Sequence, residues 1–225
     1  MKTVGVIGGM GPAATLDFLV KLHAATPAAA DADHLHVITD NHPRRADRNA
    51  AMRADGPSPA PSLVATTHAL IAAGAEVLVM PCNAAHAWAG EIVAAAGPVP
   101  FVSIVAATVA AVHAAVPGVR RVGLLAVEAT HAARIYHDGF GPEVVILAPD
   151  MDTFMPLIFA VKAGDTGPAV RAAMAAQAAA LVAAGAEVIV AACTEVPLVF
   201  GSADAAVPVV SATDALVAAT LAAAL

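Results

Sequence analysis

Short apolar runs alternate with longer segments of helical periodicity along nearly the whole chain. The runs contain few polar residues, which is typical of parallel strands that are covered on both faces. The pattern predicts strands at Val4–Gly9, His34–Asp40, Ala75–Cys82, Val99–Ile104, Val122–Val127, Val144–Pro149 and Ala186–Cys193. It predicts helices at Pro12–Leu22, Ser62–Ala73, Ala84–Ala96, Val105–Ala115, Thr130–Asp138, Pro168–Ala184 and Thr213–Ala224. The alternation therefore indicates an α/β fold.

The second half of the chain repeats the first. AAGAEVLVMPCN at Ala72–Asn83 matches AAGAEVIVAACT at Ala183–Thr194, so that Cys82 and Cys193 take equivalent positions. Two further pairs keep the same order: VPFVS with VPVVS, and VGVIGG with VGLLAV. Three matched segments indicate an internal duplication. The fold is thus predicted to be two pseudo-symmetric, doubly wound domains with mainly parallel sheets.

The repeat also predicts the domain limits and the place of the site. We expect a first domain at residues 1–103 and a second at 104–211, with a last helix at about 212–225 packing back on the first. The polar segment Asn41–Pro61, with four arginines and four prolines, is predicted to be a surface loop. Ligands of open α/β sheets bind beyond the carboxyl ends of the strands. The active site is therefore expected in the cleft between the domains, with one cysteine on each wall.

Composition and charge exclude several partners. The net charge is −7, no basic stripe is present and aromatic residues make up 4%, which argues against nucleic acid. The longest apolar stretch, Phe101–Val116, is interrupted by polar residues and too short to span a bilayer, so we expect no membrane segment. No signal-peptide pattern precedes the first strand, which predicts a cytoplasmic protein. The 61 alanines and Trp88 are interpreted as tightly packed core or as the surface of a homodimer.

The two cysteines are the candidate chemistry. A disulfide is not expected in the cytoplasm, and neither cysteine has the neighbours of a metal site, so no metal is predicted. Each follows a strand and precedes a helix start, where the helix dipole lowers a thiol pKa. The alternative interpretation is that both cysteines are small apolar residues that only fill the core. Their matched positions favour function, because two opposed thiols can remove a proton from one face of a carbon and return one to the other.

Four motifs carry a resemblance to a known family. GGMGPAAT, DNHPRRADR, MPCNAAH and ACTEVPL, at residues 8–15, 40–48, 80–86 and 192–198, resemble the cofactor-independent aspartate/glutamate racemase family, and more closely its aspartate racemase branch. The resemblance implies a small amino acid held between two domains, without pyridoxal phosphate or metal. It implies that Cys82 and Cys193 are the acid/base pair. The substrate-binding residues it implies are Met10, Arg48, Asn83, Ala84, Ala85, Thr130, Lys162, Thr194 and Glu195.

Within that set the roles differ. Arg48 and Lys162 would recognise the side-chain carboxylate, and Glu195 would cap its helix or orient Cys193. The chain departs from the family pattern at Ala84, where threonine usually follows Cys-Asn. It departs again in LLAVEAT, where Val127 and Ala129 replace threonine and glycine.

Other functions stay open on the sequence. Within the family these are a racemase of glutamate or of several amino acids, and an isomerase or decarboxylase of a small dicarboxylate. Two alternatives belong to other classes of protein: a non-catalytic binder of small acids and a dinucleotide-binding enzyme. The last rests on Gly9-x-Gly11-x-x-Ala14 with Asp40 ending the next strand. His86, four residues after Cys82, would either polarise that thiol or lie at the edge of the core.

Overall fold

A computed structural model describes all residues from Met1 to Leu225, and in it strands and helices alternate throughout. The strands are β1 Val4–Gly8, β2 Val37–Asn41, β3 Val77–Val79, β4 Phe101–Val102, β5 Arg121–Leu125, β6 Val145–Leu147, β7 Val188–Ala191 and β8 Val209–Ser211. The helices are α1 Pro12–Ala25, α2 Arg48–Met52, α3 Ala60–Ala72, α4 Ala89–Ala96, α5 Ile104–Ala115, α6 Glu128–Ala132, α7 Ile135–Phe140, α8 Met151–Lys162, α9 Pro168–Ala183 and α10 Ala212–Ala224.

The strands form two four-stranded parallel sheets of identical topology. Their orders are β2-β1-β3-β4 and β6-β5-β7-β8. The central strands β1, β3, β5 and β7 bury both faces. In β1, for example, Val4 and Val6 belong to one apolar cluster and Ile7 to another. This explains why the runs contain no polar alternation. The predicted α/β class with two duplicated parallel sheets is confirmed.

The duplication extends to the way a helix packs on the central strand of each sheet. A Cβ atom added at Gly5 would lie 2.7 Å from the Cβ of Ala75, and one added at Gly123 would lie 3.1 Å from the Cβ of Ala186. The distance at Gly5 is shorter than Cβ atoms tolerate, and a Cβ at Gly123 would also lie 2.7 Å from Ile189 Cδ1 and 3.1 Å from the Cβ of Leu181 on α9. Glycine at the same place in β1 and β5 thus lets the backbone approach its neighbours this closely.

Two helices cross between the halves. Helix α5 follows β4 but packs against α7, β7 and β8, whereas α10 follows β8 but packs against α1, β3 and β4. Their starts are equivalent: Ser103 and Ser211 each accept a hydrogen bond from a backbone N–H of the first turn. We propose from these contacts that the first domain comprises residues 1–103 with the last helix, and the second residues 104–211. None of the helices is long and apolar enough to cross a membrane.

The segment Asn41–Pro61 is not simply a surface loop, and that prediction is wrong. It contains α2, and its residues Arg45 and Asn49 are buried. The Arg45 guanidinium donates to Asp40, and also to the hydroxyls of Ser62 and Thr66. These partners lie on β2 and α3, so a segment that is polar in sequence becomes anchored to the sheet.

Two helix predictions need correction, and one helix was not predicted. Ala84–Ala96 is a short 3₁₀ helix at Ala84–Trp88 followed by α4. Thr130–Asp138 is divided into α6 and α7, since Arg134 takes a left-handed conformation with φ of 54°. Helix α8 has no counterpart in the prediction, and Pro156 in its interior is the kind of residue that argues against a helix.

Replacement of Arg45 by alanine should destabilise the fold. The variant leaves Asp40 with Thr66 as its one remaining side-chain donor and removes the Arg45 donor from the hydroxyls of Ser62 and Thr66, and a lost partner of a buried polar group costs about 1–3 kcal/mol. We expect the free energy of unfolding to fall by about 2 kcal/mol in urea denaturation. Arg44→Ala is the matched control, because Arg44 is exposed. Equal stability of the two variants would contradict an anchoring role for Arg45.

Candidate active site

Both cysteines lie just beyond the carboxyl ends of equivalent strands. Cys82 follows β3 and Cys193 follows β7, and each begins a tight turn that leads into a 3₁₀ helix. Cys82 is 4% exposed and Cys193 is 6% exposed. The two thiols are free. The topology therefore brings one thiol from each half of the chain to the same edge of the molecule.

A closed cleft lies between these turns. Its free space is about 20 Å³, which is room for about one water molecule. Ten of the residues predicted for the site line it: Met10, Arg48, Cys82, Asn83, Ala84, Thr130, Lys162, Cys193, Thr194 and Glu195. Ala85 does not line the cleft, but its backbone N–H lies against the Cys82 sulfur. Asn49 and Ala192 also line the cleft and were not predicted.

The cysteine turns of the two halves are joined directly. The Thr194 hydroxyl lies 3.4 Å from the carbonyl oxygen of Pro81, the residue before Cys82. The N–H of Gly11, at the start of α1, donates to Glu195 Oε1 at 3.1 Å. These two contacts join the second half of the chain to two loops of the first half. They fix how the two thiol-bearing turns face the cleft.

Glu195 is a buried carboxylate, 3% exposed, that contacts groups from both halves. Its Oε2 accepts a hydrogen bond from the Cys193 thiol at 3.0 Å. Its Oε1 accepts from Gly11 and lies 3.9 Å from the Lys162 ammonium. Both oxygens are thus engaged with the protein's own donors, which satisfies a charge that would otherwise be costly to bury. The contacts match the orienting role considered for this residue.

The thiols differ in acidity. Burial raises the pKa of Cys82, while Arg48 and the Ala85 N–H act to lower it. Burial raises the pKa of Cys193 well above its ordinary value, and the adjacent Glu195 carboxylate raises it further. The expectation that a helix start would lower both pKa values is therefore wrong, because burial outweighs the dipole of a short 3₁₀ helix. Of the two thiols, Cys82 loses its proton at lower pH.

Two polar groups of the cleft wall have no partner in the protein. They are the amide nitrogen of Asn83 and the hydroxyl of Thr130, and both are buried. The other end of the Asn83 side chain, Oδ1, accepts a hydrogen bond from the Tyr136 hydroxyl at 2.6 Å. Unpaired buried polar groups are costly, and a bound anion or ammonium would supply the missing partner.

Two cations reach the cleft. Arg48, on the first turn of α2, is half-buried and donates to the carbonyl oxygen of Ala46 at 3.0 Å. Lys162, at the end of α8, has a side chain that is 28% exposed. They come from different halves of the chain and converge on one small space. Such an arrangement suits an anionic ligand.

Asn49 holds α2 against the second half of the molecule. Its Oδ1 accepts a hydrogen bond from the N–H of Ala129 in α6 at 3.0 Å, and the residue is 7% exposed. A single polar residue in a charged segment gave no sequence signal for this role, because its partner lies 80 positions away.

His86 makes no hydrogen bond to the Cys82 sulfur. Its Nδ1 lies 2.8 Å from the Cys82 carbonyl oxygen, and its Nε2 accepts a hydrogen bond from the N–H of Ile104 at 3.2 Å. Both ring nitrogens are thus bound to backbone, which fixes the neutral form with the proton on Nδ1. The side chain ties the cysteine turn to the start of α5.

The groups needed to bind a dinucleotide are already engaged. Asp40 accepts from Arg45 and Thr66, and the N–H groups of Gly9 and Gly11 donate to Thr15 and Glu195. The Gly11 amide of this glycine loop binds a carboxylate, and that carboxylate is the protein's own Glu195. No cluster of three histidine, cysteine, aspartate or glutamate side chains is arranged to hold a metal ion.

Comparison with known proteins places this geometry in context. A family model described as Asp/Glu/Hydantoin racemase matches residues 7–220. The aspartate racemase of Picrophilus torridus is 30% identical, with a TM-score of 0.89, over 100% of this chain and 94% of that one. An aspartate racemase homologue from Pyrococcus horikoshii is 22% identical, with a TM-score of 0.74 and coverage of 99% and 98%. The glutamate racemase of Francisella tularensis is 14% identical, with a TM-score of 0.71 over 99% of this chain and 80% of that one.

Because His86 is buried, we expect the folded protein to lose stability in acid. Burial lowers its pKa to about 4 from 6.5, so the unfolded chain binds a proton that the folded protein refuses. The stabilisation is complete above pH 6.5 and is lost as the pH falls towards 4. For this residue it amounts to about 3 kcal/mol.

Urea denaturation between pH 7.5 and 4.5 checks this. Below about pH 6, His86→Gln should make the free energy of unfolding less steep by nearly one proton, or ~1.4 kcal/mol per pH unit, whereas above pH 7 the slopes of variant and wild type should agree. The exposed His68→Gln is the control and should reproduce the wild-type slope. An unchanged slope in His86→Gln would show that His86 does not titrate differently on folding.

Proposed function

The chain belongs to the Asp/Glu/hydantoin racemase family, and we propose that it interconverts L- and D-aspartate by a two-base mechanism with Cys82 and Cys193. The observation that carries the proposal is the pair of buried thiols at equivalent strand ends, facing one closed cleft. A homodimer and a cytoplasmic location stay predictions of the sequence.

The mechanism needs one thiolate and one thiol. Cys82, the more acidic of the two, is the thiolate, with Arg48 and the Ala85 N–H stabilising its charge. Cys193 is the thiol, and its S–H donates a hydrogen bond to Glu195 Oε2. The thiolate removes the α-proton from one face of the substrate, and the thiol donates its proton to the opposite face. The roles of the two cysteines are then reversed for the other enantiomer.

The carbanion that forms between these steps needs stabilisation of its carboxylate. The unpaired Asn83 amide and Thr130 hydroxyl line the cleft beside the thiols. Donors that are already in place for the developing charge lower the barrier without reorganisation. The missing side-chain hydroxyl at Ala84 leaves these groups and the backbone to bind the α-carboxylate.

Two features favour a short diacid. Arg48 and Lys162 supply positive charge for a second carboxylate, which would be costly to bury without it. The fully buried Ala129, between the cleft residues Val127 and Thr130 in sequence, carries a methyl group where the family pattern has glycine. The charges support a diacid over a neutral amino acid, and the added methyl group supports aspartate over the longer glutamate.

Proton exchange tests the proposal directly. In D₂O, the protein should convert L-aspartate into D-aspartate that carries deuterium at the α-carbon, observed by NMR and chiral chromatography. The same screen with L-glutamate and the other amino acids identifies the substrate class. Binding of aspartate without α-deuteration would indicate a binding protein and reject the racemase.

Serine replacements test the two thiols. Cys82→Ser and Cys193→Ser should each lower kcat for aspartate racemisation by about 10²- to 10⁴-fold, since a hydroxyl is a far weaker acid than a thiol. Circular dichroism checks that each variant is folded. If either single variant racemises aspartate at a rate near that of the wild type, the two-thiol mechanism is excluded.

Arg48→Ala tests recognition of the side-chain carboxylate. A hydrogen bond between charged groups contributes about 1.5–3 kcal/mol, so kcat/KM for aspartate should fall roughly ten- to a hundredfold. Arg44→Ala is the matched control: Arg44 is exposed, four residues away and outside the cleft. The loss should be smaller for alanine or serine as substrates. Equal kcat/KM in the two arginine variants would remove Arg48 from the site.

A further inference from the structure

We infer that Tyr136 is a positioning residue of the active site: its hydroxyl orients the Asn83 side chain so that the amide N–H₂ group faces the cleft and binds the α-carboxylate of the substrate. The inference rests on the proposed function. It adds a residue that lies outside the cleft and acts only through Asn83.

The hydrogen bond between Tyr136 and Asn83 is buried and joins the two halves of the chain. Tyr136 lies on α7, 53 positions from Asn83, and is 0% exposed, while Asn83 is 2% exposed. The ring and the hydroxyl have separate surroundings. The ring stacks on Phe140 with centroids 6.3 Å apart, inside the apolar core. Only the hydroxyl reaches the back of the cysteine turn.

The length of the hydrogen bond indicates which end of the amide it holds. At 2.6 Å it lies within the range of an O–H···O bond and below that of an N–H···O bond. Burial raises the pKa of Tyr136, so the hydroxyl keeps its proton and remains a donor. A donor pairs with the carbonyl oxygen of the amide, and Oδ1 is therefore directed away from the cleft.

The nitrogen is then the free end. Asn83 lines the cleft, and its Nδ2 is buried without any partner in the protein. Without the tyrosine hydroxyl, the amide could rotate and present either end. With the hydroxyl, the Asn83 amide presents a fixed N–H donor to the cleft. Such a donor suits an anionic carboxylate and not an ammonium group.

Tyr136→Phe isolates the hydroxyl because it keeps the ring in the core. We expect the calorimetric Kd for L-aspartate to rise about tenfold and kcat/KM to fall by at least the same factor, because the same amide also stabilises the carbanion. Thr220→Val is the matched control: it removes a fully buried hydroxyl from α10, outside the site, and should leave Kd and KM unchanged. Thermal denaturation reports whether each variant is folded.

A double-mutant cycle shows whether Tyr136 acts through Asn83. In the Asn83→Ala background, Tyr136→Phe should change Kd by less than twofold, because the amide to be oriented is gone. Asn83→Asp is a second and independent test, which requires no change at Tyr136. It replaces the donor facing the cleft by an acceptor, so it should weaken aspartate binding at least as strongly as Asn83→Ala.

The outcomes separate this inference from the proposed function. Absence of α-proton exchange in the wild type would reject the racemase, and the Kd values would still test the role of Tyr136. Full effects of Tyr136→Phe in the Asn83→Ala background would overturn the inference while racemisation stands. Tighter aspartate binding by Asn83→Asp would show that the oxygen faces the cleft, and it would overturn the inference as well.

Discussion

The buried carboxylate of Glu195 is the interaction on which the arrangement of the site depends. A carboxylate that is 3% exposed is tolerated only if its oxygens are satisfied. Here the partners are the Gly11 N–H from the first half of the chain, the Cys193 thiol and, at 3.9 Å, the Lys162 ammonium. Displacing any one of these groups leaves charge uncompensated in the interior. The same contact therefore sets the approach of the two halves, the protonation of one thiol and the place of one cation.

The duplication explains why there are two thiols, and the departures from it explain why they differ. Cys82 and Cys193 occupy equivalent turns after equivalent strands, but the positions two residues further on hold Ala84 and Glu195. One thiol consequently lies beside a methyl group and in the field of Arg48, and the other beside a carboxylate. The change at one position of the repeat, together with Arg48, thus makes the site asymmetric within a symmetric fold.

The features that could be predicted from the sequence are those repeated within it. The parallel sheets, the cleft and both cysteines follow from matched segments such as Ala72–Asn83, and the motifs around them placed nearly all of the lining residues. The features missed depend on single pairs of distant residues. Asn49 meets Ala129, and Tyr136 meets Asn83, across 80 and 53 positions. A lone polar residue has no periodicity, so nothing in its neighbourhood indicated its partner.

Under the proposed two-thiol mechanism, thermodynamics limits what this asymmetry can do to the racemisation. The two enantiomers of a free amino acid have the same free energy, so the equilibrium constant between them is one in water. It follows that kcat/KM must be equal in the two directions, whatever the difference in acidity between Cys82 and Cys193. The asymmetry is confined to kcat and KM taken separately, because the enzyme form with Cys82 ionised and the form with Cys193 ionised differ in free energy. The carboxylate of Glu195 favours the first form. The enzyme form with Cys193 ionised is therefore less populated. For the enantiomer that binds to this form, KM and kcat must differ from those of the other enantiomer by the same factor.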